Sequence, residues 1–184
     1  MVNFLFFSIF FNYDELMDLI NGNKIIFREF NEKDQDKIIK LYQEITKEYF
    51  PDMNFELKDT NEYIEDLFDI NAHYYKEGGK FWVIEIDNEL IGMGGVKILK
   101  YNEAELKKFR ISKNFRRLGL GRKILEEAEK VCKELKIIRI KLDTTDRFKE
   151  ALKMYEKYGY KIFEKKNMNL WGAKFTQFFL HKSL

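Results

Sequence analysis

One stretch, residues 103–135, constrains this chain more than any other. Residues 103–111 read as a strand. The loop Arg116-Arg117-Leu118-Gly119-Leu120-Gly121 follows, and an amphipathic helix begins at once. Over residues 121–135, Ile124, Leu125, Ala128, Val131, Cys132 and Leu135 form one apolar stripe at helical spacing. Glycines let a backbone come close to a bound group. The unsatisfied N–H groups of the helix's first turn point at that group, and the helix dipole adds partial positive charge. Strand, glycine loop and helix start together make an anion site suited to phosphates. Arg116, Arg117, Arg122 and Lys123 surround it with full charges.

Two common phosphate motifs fail on residue identity. A dinucleotide fold wants a third glycine where this chain has Ile124, and a P-loop wants Gly-Lys-Ser/Thr where Gly121 is followed by Arg122-Lys123-Ile124.

The rest of the chain supplies context. Residues 24–30 read as a strand, and Asp34 as the N-cap of a helix carrying Ile38, Leu41, Tyr42, Ile45 and Tyr49. Pro51, the chain's single proline, closes that helix. Residues 59–75 read as a second helix, 81–86 and 90–99 as a hairpin, and 138–142 as a strand by alternation. Residues 148–158 are helical, and 160–164 and 175–182 read as two closing strands. The order is β-α-α-β-β-β-α-β-α-β-β, a mixed α/β domain. We divide the chain into an apolar extension, residues 1–23, packed on the domain or on a second copy, and a domain over residues 24–184.

Composition excludes several classes. With 33 basic and 31 acidic residues in 184, the chain lacks the basic excess of a dedicated nucleic-acid binder. No apolar run approaches the roughly 18 residues that span a bilayer. Cys132 is the only cysteine, so an internal disulfide is excluded and a reducing, cytoplasmic setting is expected. Cys132 with His73 and His181 makes no metal-ligand pattern, and no metal is expected.

Three ordered motifs then carry a family resemblance. Arg116-x-x-Gly119-x-Gly121 resembles the Arg/Gln-x-x-Gly-x-Gly/Ala signature of the GNAT superfamily of N-acetyltransferases. Glu105-Leu-Lys-Lys-Phe-Arg-Ile111 is similar to that family's central strand. Ala151-Leu-Lys-Met-Tyr155-Glu-Lys-Tyr-Gly159-Tyr160 resembles its Ala-x-x-x-Tyr-x-x-x-Gly-Phe/Tyr helix. The likeness is strong over residues 80–184 and weaker over 24–75. It implies a single α/β (α+β) domain with a mixed, mostly antiparallel sheet of about six to seven strands. About four helices flank that sheet, and its central strands splay.

The resemblance also implies roles. Acetyl-CoA is the acyl donor. Backbone groups of Phe109, Arg110 and Ile111 take its pantetheine arm like an added strand, and Arg116, Arg117, Leu118, Gly119, Leu120, Gly121 and Arg122 wrap its pyrophosphate. Tyr155 protonates or orients the leaving thiolate. Glu105 is the candidate base for an acceptor ammonium. One departure stands out: the family often has Asn three residues before the motif's Ala, where this chain has Phe148.

The expected activity is direct transfer of acetyl to a primary amine. The acceptor, a small molecule or a peptide, stays open, as do a longer acyl group and a homodimer. Tyr49, Phe50, Asp52, Tyr63, Tyr74, Tyr75 and Trp171 are candidates to shape its pocket. Glu62, Glu65, Asp66 and Asp69 read first as a solvated helix face. A non-catalytic acyl-CoA sensor is the alternative; a nucleic-acid module using Lys107, Lys108, Arg110, Arg116 and Arg117 is disfavoured by the charge balance.

Overall fold

The computed structural model describes residues 19–20, 23–53 and 64–184. Seven strands form one open mixed sheet: β2 (Asn23–Glu29), β3 (Lys80–Ile86), β4 (Glu89–Ile98), β5 (Glu103–Ile111), β6 (Arg139–Thr145), β7 (Lys161–Leu170) and β8 (Ala173–Ser183). A two-residue strand, β1 (Leu19–Ile20), pairs with β2 at one edge. The order across the sheet is β1-β2-β3-β4-β5-β6-β8-β7. Only β5 and β6 run parallel. The remainder of the expected 1–23 extension lies outside the described residues.

Three α-helices flank the sheet: α1 (Gln35–Tyr49), α2 (Leu120–Glu134) and α3 (Lys149–Lys157). A π-helical turn over Asn71–Tyr75 is the fourth helix. The expected helix 59–75 is therefore corrected in its described half. Ile64 and the residues after it make a short 3₁₀ turn, Glu65–Leu67, and then the π turn; residues 54–63 lie outside the described set. Asp34 stands at the N-cap position of α1 but makes no side-chain bond to that helix. Its carboxylate instead accepts the Asn31 N–H at 2.8 Å and both Arg28 Nη groups, at 2.6 and 2.8 Å.

Each sheet face has its own core. The amphipathic stripe of α2 puts Ile124, Leu125, Ala128 and Cys132 against Ile84, Val96, Leu106, Ile140 and Leu142. On the opposite face α1 and the π turn bring Ile38, Leu41, Ile45 and Tyr74 onto Phe81, Val83 and Met93. Fully burying a side chain of this size contributes roughly 1.5–3 kcal/mol, so the two cores clamp the sheet from both sides. Cys132 is wholly buried, and burial together with Glu129 pushes its thiol up to about 12. The thiol therefore stays protonated inside the core. Among the described residues no helix is long and apolar enough to cross a membrane.

Two irregularities in β5 create the site. The β5–β6 pairing runs from Glu103↔Arg139 to Leu106↔Leu142 and no further. Beyond Leu106 the two strands part, and no strand covers that edge of β5. On the other edge, the register against β4 slips between Met93 and Gly95, so Lys108 and Phe109 both oppose Gly94. Lys108 takes φ +61° in this bulge. Gly94 is required beneath it: a Cβ there would stand 2.8 Å from the Phe109 ring.

Candidate active site

Two clefts meet where the strands part. The larger, of about 410 Å³, lies between the end of β5, the 111–121 loop and the α2 and α3 helices. The smaller, of about 140 Å³, lies between α1, the ends of β5 and β6, and the β7–β8 hairpin. They share five wall residues: Phe109, Arg110, Phe148, Ala151 and Tyr155.

The larger cleft is built from the loop upward. Gly119 is the N-cap of α2 at φ +84°, a left-handed conformation that costs other residues about 1–2 kcal/mol. No side chain caps this helix, so its first-turn N–H groups stay available to a ligand. Arg116, Arg117, Gly119, Leu120, Gly121 and Arg122 line the cleft, with Phe109, Arg110 and Ile111 along the uncovered strand edge. Leu118 does not line it and is exposed. The Arg116 guanidinium is already engaged. It donates to both Glu48 carboxylate oxygens at 2.7 and 2.6 Å, gives its Nε–H to Ile111 O at 2.9 Å, and stacks 4.8 Å from the Tyr49 ring centroid. Arg116 thus ties the loop to α1 and β5. A helix N-terminus, a glycine, basic groups and a free strand edge in one cleft fit a diphosphate attached to an extended amide-bearing arm.

Tyr155 sits on α3 at the junction, 4% exposed. Its ring meets the Phe109 ring edge-on at 6.3 Å between centroids. Burial raises the phenol's pKa well above its ordinary value; Arg110 pulls it down and Asp143 pushes it up, and burial prevails. The hydroxyl therefore keeps its proton throughout the physiological range.

Glu105 lines neither cleft. Its carboxylate is 3.4 Å from Lys107 Nζ, and Lys107 Nζ is 3.3 Å from Asp143 Oδ1. Asp143 is the carboxylate on the smaller cleft's wall, where Gln177 Nε2 donates to it at 2.8 Å. Burial alone would depress Lys107, but Asp143 and Glu105 beside it leave its pKa raised, so it remains an ammonium.

The rest of the smaller cleft mixes apolar and aromatic side chains, Tyr42, Phe50, Met53, Phe148, Leu170, Trp171 and Phe175, with the polar Thr46, Lys107, Lys108, Thr144, Thr145 and Gln177. Phe50, Trp171 and Tyr49 were anticipated near the acceptor, and Phe50 and Trp171 line this cleft while Tyr49 lines its neighbour. Tyr74 and Tyr75 are not there; Tyr74 is buried and donates to Asp66 at 2.8 Å, and Tyr75 donates to Phe81 O at 3.1 Å. Asp66, expected on a solvated face, is 2% exposed beside Lys97 and Lys108. Tyr63 and Glu62 lie outside the described residues.

Sequence reasoning passed over Asp143 and the side chain of Arg110. Asp143 had a signal: it ends the alternating run Ile138–Leu142, and ligands gather at the carboxyl ends of parallel strands.

Comparison with known proteins agrees with this geometry. The family model described as Acetyltransferase (GNAT) family matches residues 38–160. An uncharacterized N-acetyltransferase of Escherichia coli, YjgM, is 28% identical over 149 residues, 78% of this chain and 86% of its own. A probable N-acetyltransferase of Xenopus laevis, camello, is 30% identical over 100 residues, and the match spans 46% of its length. The crystal structure of a GNAT-family acetyltransferase from Staphylococcus aureus superposes with TM-score 0.73 at 27% identity, covering 86% of this chain and 98% of that one. The PaiA N-acetyltransferase of Thermoplasma acidophilum, solved in complex with coenzyme A, shares the fold with TM-score 0.66 at 20% identity, over 88% and 99% of the two chains. With more than half its length inside the family model and the clefts of such an enzyme around its parted strands, the chain belongs to the GNAT family of acetyltransferases.

Proposed function

We propose that this acyltransferase moves the acetyl group of acetyl-CoA directly to a primary amine, with the donor in the larger cleft and the acceptor in the smaller. The observation that carries the reading is the junction itself. Two clefts of different lining, one with Arg116, Arg117, Arg122 and the helix N–H donors, the other with aromatic rings, the Asp143 carboxylate and Lys107 and Lys108, converge on Phe109, Arg110 and Tyr155. Holding amine and thioester at one junction supplies much of the rate, because positioning alone contributes on the order of 7–11 kcal/mol in well-oriented cases.

The step balances without a covalent enzyme intermediate. The neutral amine nitrogen attacks the thioester carbonyl carbon. The C–N bond forms, the C–S bond breaks, and the sulfur leaves with the electron pair. A backbone N–H on the uncovered edge of the 109–111 segment polarises the carbonyl. The surplus proton on nitrogen passes to Asp143, directly or through water, and Glu105 lies one contact behind it through Lys107. Tyr155 keeps its own proton and hydrogen-bonds the leaving sulfur, which is protonated from solvent on release. An ordinary thiol pKa of about 8.5 makes that protonation complete at neutral pH.

The test is a pair of variants under a thiol-release assay across pH. Asp143→Asn should cut kcat/KM by about 10²–10⁴, the range of a lost general base, and should remove the acidic limb of the profile. Glu105→Gln should shift that limb by less. A larger loss in Glu105→Gln than in Asp143→Asn would return the base to Glu105.

A further inference from the structure

Around the smaller cleft the charges do not pair one to one. Asp143 on its wall and Glu105 behind it flank the single ammonium of Lys107. Lys108, another cation on the wall, is 3.1 Å from Asp66. Arg110 is different. Its Nη1 donates to Phe109 O at 2.9 Å, and its guanidinium lies over the Tyr42 and Phe148 rings, at 5.3 and 4.5 Å. No carboxylate among the described residues pairs with it, and its Nε is buried without a hydrogen-bond partner.

A second polar group nearby is in the same condition. Thr46, on α1, is 7% exposed and lines the smaller cleft, and its Oγ1 has no partner. Buried polar groups are normally satisfied, and a desolvated cation without an anion is costly. Among the described residues, a guanidinium without a carboxylate and a buried hydroxyl without a hydrogen-bond partner, both on the wall of one cleft, are a complement for a carboxylate.

Size narrows the class further. A cavity near 150 Å³ takes a benzene-sized group, and this one is about 140 Å³ with aromatic walls. That volume matches one apolar side chain of about benzene size.

We infer that the acceptor is a small amino acid with an apolar or aromatic side chain: its carboxylate pairs with Arg110 and Thr46, its amino group faces Asp143, and its side chain lies against the contacting rings of Phe50 and Phe175. The inference rests on the acetyl-transfer reading above and deepens it to a substrate class. It separates a free amino acid from a peptide N-terminus, which offers an amine but no carboxylate close to it.

Three probes that share a ring and an amine test it: L-phenylalanine, L-phenylalaninamide and phenethylamine, each with acetyl-CoA in the thiol-release assay. The free acid should exceed the other two by tenfold or more in kcat/KM. Arg110→Met should erase that preference, mainly through KM, and Arg110→Lys should restore part of it. Equal or faster turnover of the amide overturns the inference and points to a peptide N-terminus. A preference that survives in Arg110→Met overturns the role of Arg110. No turnover of any probe by protein that binds acetyl-CoA overturns the substrate class alone, whereas absence of acetyl-CoA binding overturns the donor reading instead. A melting curve accompanies each variant; should Arg110→Met unfold, the wild-type ratio among the probes decides.

Discussion

Arg110 lies 4.5 Å from the centroid of the Phe148 ring, and that stack forms the partition between the two clefts. Phe148 also packs on Tyr49 at 4.3 Å and on Phe50 at 5.7 Å between centroids. The residue that departs from the family's usual Asn therefore has a definite task here: it joins α1 to the start of α3 and holds a guanidinium in place. Phe148→Asn should release Arg110, so KM for the acceptor should rise at least tenfold while affinity for acetyl-CoA changes much less. Steady-state kinetics with each substrate varied in turn checks the split.

Gly119 and Gly121 should respond differently to substitution. Gly119→Glu forces a side chain into a left-handed position and sets a carboxylate at the helix N-terminus, so calorimetry should detect no acetyl-CoA binding in a folded variant. A Cβ on Gly121 would meet Met154 Sδ at 3.7 Å and Ile111 Cγ1 at 3.9 Å, ordinary contacts. Gly121→Ala should therefore fold and melt no lower than the parent, since alanine is the better helix former by about 1 kcal/mol.

Tyr155→Phe should lower kcat by one to two orders of magnitude with little change in acetyl-CoA affinity. The pH profile gives a second check. Burial raises the phenol's pKa, so its protonated form persists further into alkali than an ordinary tyrosine's, which ionises near 10. No alkaline loss of kcat below about pH 10 should trace to Tyr155. An alkaline limb present in the parent and absent in Tyr155→Phe would contradict this.

The Glu48–Arg116 pair makes a stability prediction. Arg116 hydrogen-bonds the Glu48 carboxylate and holds its pKa below the usual value. A depressed carboxylate stabilises the fold fully above its unfolded value, about 4.3, and that contribution is lost as pH falls through the folded value. A partly exposed pair of this kind contributes about 0.5–1 kcal/mol. Glu48→Gln should thus lower stability by that amount at pH 7 and by almost nothing below pH 3. Denaturant midpoints measured at both pH values decide it.

Much of this molecule was legible in the residues. The Gly119 turn stands where its pattern put it, and Ile124, Leu125, Ala128 and Cys132 of the 121–135 stripe and Ile140 and Leu142 of the 138–142 alternation are buried as their spacing requires, whereas Leu135 and Ile138, at the ends of those patterns, lie outside helix and strand and are exposed. What was not legible depended on distant partners. Asp66 looks solvated in a string of acids, yet Lys97 and Lys108 arrive from other strands to bury it. Asp34 has the sequence context of a helix cap, but Arg28 from β2 claims its carboxylate. Glu105 sits on the expected strand and shares a face with Lys107, which lines the cleft and stands between Glu105 and Asp143. Arg110 was identified for its backbone; only the rings of Tyr42 and Phe148, from two other elements, give its side chain a place.

The parting of β5 from β6 has a kinetic corollary. With donor and acceptor in the two clefts as proposed, each has its own cleft and they touch only at the shared wall. Neither need leave for the other to arrive, and no acetylated enzyme need form between two half-reactions. Initial-rate lines at several fixed acceptor concentrations should converge rather than run parallel, and free coenzyme A should compete with acetyl-CoA alone. An unclosed seam in a sheet, a defect by the standards of packing, thus sets the place where two molecules are able to meet.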